Sequence, residues 1–219
     1  MDTDLEYVRL RAAGLSGWGG ESYDRRLAGW VQTISRFEKW NEFPQPPARL
    51  LELGCGNGMA SFVAAQMGYA VHGLDLSQEA VTWAQERFSA ASLRGEFQQG
   101  NVCAMPIFGE GMFEIVLDGN CLHCIIGEDR RRCLREVRRV LRRQGVFVVS
   151  SMCGTPKSDE IRQRYVEQAR CLYLNGSPHR TLKPPEEIEQ EVADAGFRVL
   201  GSEVSTNTWW DHLTLIAAS

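Results

Sequence analysis

The sequence predicts an α/β fold in which a doubly wound, mostly parallel sheet is covered by helices on both faces. From Arg49 onward, short apolar runs alternate with amphipathic helical stretches, as in a parallel sheet with crossover helices. A glycine-rich turn follows the first run, and the last two runs lie close enough together to pair antiparallel. The chain of 219 residues suits one domain, or one domain with a small cap.

The predicted elements can be placed along the chain in order. Short apolar runs predict seven strands, at 49–55, 70–76, 96–101, 113–118, 146–151, 197–205 and 211–217. Helices are predicted at 59–67, after Ser77 as the N-cap, at 129–143 with Gly145 at its end, and from Pro185. A further helix is expected before Asn175-Gly176, because one of its faces would carry Ile161, Tyr165, Ala169 and Leu172.

The first 47 residues differ from the rest of the chain. They are predicted to be helical and are rich in aromatic side chains, namely Tyr7, Trp18, Tyr23, Trp30, Phe37 and Trp40. The run from Pro44 to Pro47 cannot continue a helix and marks a boundary. The predicted organisation is therefore a helical cap or lid at 1–47 and the sheet domain at 48–219.

Composition excludes several classes of protein. Apolar residues make up 43% and charged residues 24%, which rules out a wholly disordered chain. No apolar run reaches membrane-spanning length, and the start of the chain lacks a secretory pattern, so a cytoplasmic protein is expected. A net charge of −4 argues against bulk binding to nucleic acid or anionic membrane. The seven cysteines are expected to be small buried side chains rather than a disulfide framework.

The turn after the first predicted strand is the most informative motif. Its sequence from Glu52 is Glu-Leu-Gly-Cys-Gly-Asn-Gly, with glycines at 54, 56 and 58. Alternating glycines let the backbone turn tightly and approach a ligand closely. The Gly-x-Gly-x-x-Gly spacing of dinucleotide sites fails at Met59, and no Gly-Lys-Ser/Thr ending of a triphosphate loop is present. Taken alone, such a turn can also serve tight packing only.

The motif and its surroundings resemble the class I S-adenosylmethionine-dependent methyltransferases, in particular those that act on small molecules. Asp75 ends the second predicted strand, where that family places an acidic residue on the ribose hydroxyls. Asn101 and Val102 follow the third, where the family often has an aspartate against the adenine, so Asn101 departs from the pattern. Asp118 and Asn120 follow the fourth, beside the expected methionine end of the cofactor.

The resemblance extends over about residues 49 to 219 and implies a Rossmann-like methyltransferase fold with seven strands, the last one antiparallel. It implies S-adenosyl-L-methionine as cofactor and S-adenosyl-L-homocysteine as product. The cofactor-binding residues expected from it are Glu52, Gly54, Cys55, Gly56, Asn57, Gly58, Asp75, Leu76, Asn101, Val102, Asp118, Gly119, Asn120 and Tyr23. No metal is expected, because Asp118 alone does not make a magnesium site.

His123 is the candidate general base, since it follows the fourth predicted strand and would lie beside the transferred methyl group. A structural, hydrogen-bonding role for it stays open. His179 and His212 are expected on the other side of the pocket, and 154–182 is the second expected contributor to its wall.

The aromatic cap residues, such as Trp18, either close over the cofactor or pack the added helices onto the sheet. Cys121 and Cys124 are interpreted as residues that pack in the apolar interior. The alternative is a redox-active pair or a binding site for a metalloid.

The expected acceptor is a small molecule, with no membrane partner and with nucleic acid disfavoured. The sequence lacks the Asn-Pro-Pro-aromatic run that enzymes of this family acting on base amino groups often carry after the fourth strand. Eight arginines between 130 and 143 form a basic helix, which is interpreted as a solvated outer face. Two alternatives remain open: an RNA or protein methyltransferase that docks through the Arg130–Arg143 helix, and a cofactor-binding module without turnover.

Overall fold

The computed structural model describes residues 3–219, so that residues 1 and 2 of the predicted cap lie outside the described residues. Two helices precede the sheet, α1 (Thr3–Ala12) and α2 (Tyr23–Phe37). The helices that follow are α3 (Met59–Gln66), α4 (Gln78–Ala90), α5 (Glu128–Val140), α6 (Asp159–Arg162) and α7 (Pro185–Asp194). Within the described residues, no helix has the length and apolar character needed to cross a membrane.

Seven strands form the main sheet in the order β3-β2-β1-β4-β5-β10-β9. Their bounds are β1 (Arg49–Leu53), β2 (Ala70–Asp75), β3 (Gly95–Gln99), β4 (Phe113–Asp118), β5 (Leu141–Cys153), β9 (Arg198–Ser205) and β10 (Asp211–Ala218). All neighbouring pairs are parallel except those of β10, which runs antiparallel to both β5 and β9. The predicted fold class is therefore confirmed.

The side chains of the sheet alternate between two apolar layers, as the two-residue strand period requires. Leu51 and Leu53 of β1 pack with α5 and α7, whereas Leu50 packs with α2, α3 and α4 on the opposite face. The predicted cap at Ser77 is confirmed, because its hydroxyl accepts a hydrogen bond of 3.1 Å from the Ala80 amide at the start of α4.

The predicted helix before Asn175 is wrong. The segment instead forms a second, three-stranded sheet of β6 (Tyr165–Val166), β7 (Cys171–Leu174) and β8 (Ser177–Thr181). Asn175 and Gly176 both have positive φ, 51° and 76°, and connect β7 to β8 as a two-residue hairpin turn. The Asn-Gly pair therefore joins two strands here rather than ending a helix.

The end of α5 also differs from the prediction. The helix stops at Val140, and Leu141 already pairs with Phe113 as the first residue of β5. The pairing then shifts by several residues before Val146 meets Ile115. Leu141 is buried in either arrangement, so the helical spacing of apolar residues could not reveal where the chain changes direction.

The strand order fixes the location of a binding site. The chain leaves β1 toward β2 on one side and reaches β4 on the other, so the winding direction reverses between β1 and β4. In open α/β sheets, ligands bind beyond the carboxyl ends of the strands at such a point. The glycine-rich turn after β1 and the loop after β4 both lie there.

Candidate active site

The glycine-rich turn after β1 adopts a backbone that only glycine takes without strain. Gly54, Gly56 and Gly58 have φ values of 58°, 53° and 74°. A Cβ atom at Gly54 would lie 2.6 Å from the Cβ of Cys121, so the loop after β4 passes directly over the turn. The two loops at the reversal point are therefore in contact.

Asp75 is held rigidly at the end of β2. Its Oδ2 accepts a hydrogen bond of 2.8 Å from the Gly56 amide, and its Oδ1 accepts one of 2.9 Å from the Ser77 amide. Burial raises the pKa of this carboxyl, although both amide hydrogen bonds oppose the shift. The two carboxylate oxygens together can accept four hydrogen bonds, so acceptor capacity remains for a ligand.

Glu52 is a buried acid beneath the same turn. Its Oε2 accepts hydrogen bonds from the backbone amide of Ser61, at 2.7 Å, and from the Ser61 hydroxyl, at 2.5 Å. Its other oxygen faces the backbone of the loop after β4, since a Cβ atom at Gly119 would lie 2.6 Å from Oε1. Burial raises the pKa of Glu52 to about 7.

The third buried acid, Asp118, organises the loop after β4. Its Oδ1 accepts hydrogen bonds from the amides of Cys121, at 2.7 Å, and Leu122, at 2.8 Å, while Oδ2 accepts from the Ser150 amide at 3.3 Å. Burial raises the pKa of Asp118 to about 6. Asn120 lies within this loop at a positive φ of 69°. The side chain of Asp118 therefore fixes the loop that carries Gly119, Asn120 and His123.

The residues expected around the adenine differ in exposure. The side chain of Leu76 is 62% exposed beyond the end of β2, whereas Val102 is buried. The Asn101 amide oxygen accepts a 2.8 Å hydrogen bond from the backbone of Cys103, so part of its acceptor capacity serves its own turn. Leu76 and Val102 thus both lie just beyond the carboxyl ends of β2 and β3. Of the two, only Val102 belongs to the buried apolar core.

The N-terminal helices cover the glycine-rich turn. Tyr7 of α1 is buried, and a Cβ atom at Gly56 would lie 2.5 Å from its hydroxyl oxygen. The Asn57 side chain donates a 2.7 Å hydrogen bond to the carbonyl of Ser16 in the segment between α1 and α2. In the sequence Tyr7 is one aromatic residue among several, and no local pattern shows which residue of α1 meets the turn.

Tyr23, which was predicted to bind the cofactor, begins α2 as a buried side chain. A Cβ atom at Gly17 would lie 2.6 Å from its ring, and the guanidinium of Arg87 stacks 5.1 Å from the ring centroid. Its hydroxyl has no hydrogen-bond partner among the described residues. Tyr23 therefore lies beside the N-terminal segment that covers the turn, with its hydroxyl buried and unpaired among the described residues.

His123 is buried, with 4% of its surface exposed, and its Nδ1 has no hydrogen-bond partner within residues 3–219. Burial, reinforced by Arg180 and other nearby cationic side chains, moves its pKa well below the ordinary histidine value. The ring is therefore neutral at physiological pH. The second sheet holds its loop in place, because the Thr181 hydroxyl donates to the His123 carbonyl at 3.3 Å.

Comparison with known proteins agrees with this geometry. Residues 51–149 match the family model described as a methyltransferase domain. A ubiquinone biosynthesis O-methyltransferase of Azorhizobium caulinodans is 28% identical over 158 residues, covering 71% of this chain and 61% of the relative. A ribosomal protein L11 methyltransferase of Dictyoglomus thermophilum is 30% identical over 136 residues, covering 62% and 42%. The chain thus spans less than two thirds of the length of either relative.

The fold recurs in solved structures. A crystal structure of a SAM-dependent methyltransferase from Methanosarcina mazei superposes with a TM-score of 0.72 at 20% sequence identity, covering 85% of this chain and 96% of that chain. Residues 51–149 thus match the methyltransferase domain, and the chain has the fold of the S-adenosylmethionine-dependent methyltransferases. The cofactor of this family is S-adenosyl-L-methionine.

The acids at the turn suit the charge of this cofactor, which carries a sulfonium and an ammonium group. Glu52, Asp75 and Asp118 are all buried, and within residues 3–219 none of them has a lysine or arginine nitrogen within 4 Å. Buried carboxylates without a cationic partner are costly, and a bound cation relieves that cost. The residues present therefore fit the family's cofactor.

The cysteines are free thiols in the structure. Cys55, Cys133, Cys153 and Cys171 are buried, whereas Cys124 is exposed. In the described part of the chain, no three histidine, cysteine, aspartate or glutamate side chains converge as metal ligands do.

Proposed function

We propose that the protein transfers the methyl group of S-adenosyl-L-methionine to a small-molecule acceptor. The observation that carries this proposal is the burial of His123 in the loop after β4, which lies against the glycine-rich turn through Cys121 and is attached to the second sheet through Thr181. A buried reaction site favours an acceptor small enough to enter, over the surface of a folded protein or an RNA helix.

In this proposal the side chains around the turn bind and orient the cofactor. Asp75 would accept hydrogen bonds from the ribose hydroxyls, with Val102 and Asn101 beside the adenine. Glu52 and the loop fixed by Asp118 would hold the methionine end through Gly119 and Asn120. When bound, the cofactor supplies a methyl group on a positively charged sulfur, which a nucleophile displaces in line. Positioning of the two reactants can supply roughly 7–11 kcal/mol of the barrier reduction.

His123 is proposed as the general base for an acceptor that arrives protonated. The ring is neutral and its Nδ1 lacks a protein partner, so this nitrogen is available to take a proton from a hydroxyl or an amine. The low pKa limits its strength as a base. It therefore suits an acceptor whose proton becomes acidic as the methyl group is transferred.

The arginine-rich helix gives little support to a macromolecular acceptor. Six of the eight arginines between 130 and 143 form ion pairs with carboxylates of the described chain, among them Arg131 with Glu128 and Arg139 with Glu136. Arg130 is buried rather than surface-exposed. Paired charges release few counterions from nucleic acid, so this face is a weak docking surface.

Transfer of a labelled methyl group from S-adenosyl-L-methionine tests the proposal. A cell extract is separated into a low-molecular-weight fraction, an RNA fraction and a protein fraction, and each is incubated with the protein. Label in the small-molecule fraction supports the proposal. Label only in RNA or protein contradicts the acceptor class, and no transfer to any fraction favours a binding module without turnover.

Two further predictions accompany this function. Residues 1–47 are proposed as a cap that closes over the bound cofactor, supported by the contact of Tyr7 with Gly56 and the bond of Asn57 to Ser16. A cytoplasmic location, expected from the sequence, stays a prediction.

A further inference from the structure

A line of hydrogen bonds joins β10 to the loop after β4. The Nε2 atom of His212 on β10 lies 2.8 Å from the hydroxyl of Ser150 on β5, and that hydroxyl donates to the side-chain oxygen of Asn120 at 3.4 Å. These three side chains form a polar link. The backbone amide of Ser150 also donates to Oδ2 of Asp118, at 3.3 Å. The loop after β4 is therefore attached to β5 twice, through the backbone and through the side chain of Ser150.

The strand register explains why the side chains of the polar link meet. Ser150 pairs directly with Thr214, which is two residues from His212 along β10. Side chains two residues apart in a strand lie on the same face of the sheet, so His212 and Ser150 share a face. Val148 and Ile216 on that face belong to the apolar layer shared with α2, α3 and α4. The polar link thus continues this layer at the carboxyl end of β5.

Asn120 is held between two residues that lie against the glycine-rich turn. A Cβ atom at Gly119 would lie 2.6 Å from Oε1 of Glu52, and a Cβ atom at Gly54 would lie 2.6 Å from the Cβ of Cys121. Asn120 itself has a positive φ of 69°, a conformation that asparagine adopts more readily than most residues. Its side chain is therefore carried at the point where the cofactor is proposed to bind.

The direction of the hydrogen bonds determines which atoms of Asn120 remain for a ligand. The Ser150 hydroxyl has a single proton, which it donates to Oδ1 of Asn120. The hydroxyl must then accept from His212, so Nε2 of that ring carries a proton. Burial, followed by Arg26, lowers the pKa of His212 to about 4, so the ring is neutral at physiological pH. Within residues 3–219 the amide nitrogen of Asn120 donates to no other group, and both of its N–H groups are available.

We propose that Ser150 and His212 are positioning residues, which orient the amide group of Asn120 so that its nitrogen donates to the methionyl carboxylate of S-adenosyl-L-methionine. A carboxylate accepts hydrogen bonds from N–H groups, whereas the ammonium group at the same end of the cofactor can only donate them. Without the polar link the amide group is free to turn over, which would place its oxygen against the carboxylate. The inference rests on the proposed function and adds residues of β5 and β10 to its cofactor site.

Two ligands that differ by one group test the inference. Calorimetry measures the affinity for S-adenosyl-L-methionine and for decarboxylated S-adenosyl-L-methionine, which lacks only the carboxylate. Ser150→Ala and His212→Phe should weaken binding of the first ligand at least about tenfold and leave binding of the second unchanged. His212→Gln keeps an N–H donor and should bind both ligands like the wild type. Ser151→Ala is the matched control, because this neighbouring hydroxyl donates to the Met152 carbonyl instead.

The outcomes separate positioning from a general loss of structure. Equal losses with both ligands would mean that the variants only loosen the loop, and this result or an unchanged affinity for S-adenosyl-L-methionine would overturn the inference. Nitrogen NMR of the wild type should show His212 with its proton on Nε2, and a proton on Nδ1 would also overturn it. If the wild type binds neither ligand, the proposed function is contradicted as well.

Discussion

The hydroxyl oxygen of Tyr7 lies directly against Gly56, so close that a Cβ atom at that glycine would be 2.5 Å away. The ring of Tyr7 also packs against Trp18, with centroids 5.6 Å apart, and meets Trp83 of α4 edge-on. One side chain therefore joins α1, the cofactor turn and α4. This contact packs α1 against the glycine-rich turn, where the cofactor is proposed to bind.

Removing the Tyr7 ring should release α1 and weaken cofactor binding. For Tyr7→Ala we expect faster hydrogen exchange in residues 3–12 and roughly tenfold weaker binding of S-adenosyl-L-methionine, because the lost contacts hold the helix on the turn. Val8→Ala, at an exposed position of the same helix, is the matched control and should change neither property. Unchanged exchange in the Tyr7 variant would mean that other contacts of α1 suffice.

A methyl group at Gly56 should have a larger effect. Gly56→Ala forces an L side chain into a left-handed backbone and against the Tyr7 hydroxyl, so we expect loss of measurable cofactor binding. Gly109→Ala is the control, since nothing lies within 4 Å of a Cβ atom there and its φ is not positive. Calorimetric titration with the cofactor measures both. Wild-type affinity in Gly56→Ala would show that the turn does not need its glycine.

Glu52 should link pH to both stability and cofactor affinity. Its folded pKa of about 7 exceeds the ordinary 4.5, so the folded protein binds more protons than the unfolded chain between these values. The free energy of unfolding of the cofactor-free protein should therefore fall as pH rises from 4.5 to 7 and then level off. Glu52→Gln should remove the part of this fall that lies above about pH 6, because Asp118, with a pKa of about 6, still contributes below it. Thermal melts across that range measure the difference.

The same charge should favour the cationic cofactor. Affinity for S-adenosyl-L-methionine is expected to rise with pH through about 7 in the wild type and to lose that step in Glu52→Gln. Ser61 can still donate to the amide oxygen of the variant, so the local structure is kept. An identical pH dependence in both proteins would assign the effect to another group.

His123→Gln separates catalysis from binding. If His123 takes a proton from the acceptor, its replacement should lower kcat by roughly 10²–10⁴-fold while cofactor affinity stays the same. The rate should also lose the ionisation of a group with a pKa well below the ordinary histidine value. A variant that keeps the wild-type rate and pH profile would leave His123 with the structural role considered from the sequence.

Features with local physical causes were predictable from the sequence. The hydroxyl of Ser77 caps α4 because it can accept a backbone hydrogen bond three residues later, and Pro185 starts α7 because its fixed φ suits a first helical turn. Asp75 meets the turn because parallel strands bring their carboxyl ends to one edge. Each of these features can be inferred from a few neighbouring residues and from the spacing of apolar residues along the chain.

Features that depend on distant contacts were not predictable. The helical spacing from Ile161 to Leu172 predicted one helix, whereas only Asp159–Arg162 is helical and Leu172 pairs across strands. The Asn-Gly turn was the local signal that could have found the hairpin. The approach of Tyr7 to Gly56 and the hydrogen bond of Asn57 to Ser16 join elements far apart in the chain. No spacing in the sequence encodes them.

Calorimetric titration of S-adenosyl-L-methionine into the wild type and into Asp75→Ala tests the central claim, that the turn after β1 binds the cofactor together with Asp75. Asp194→Ala, at an exposed aspartate at the end of α7, is the control. The account predicts binding by the wild type and the control, and a loss of at least about tenfold in affinity in Asp75→Ala. Equal affinity in all three proteins, or no binding by the wild type, would contradict it.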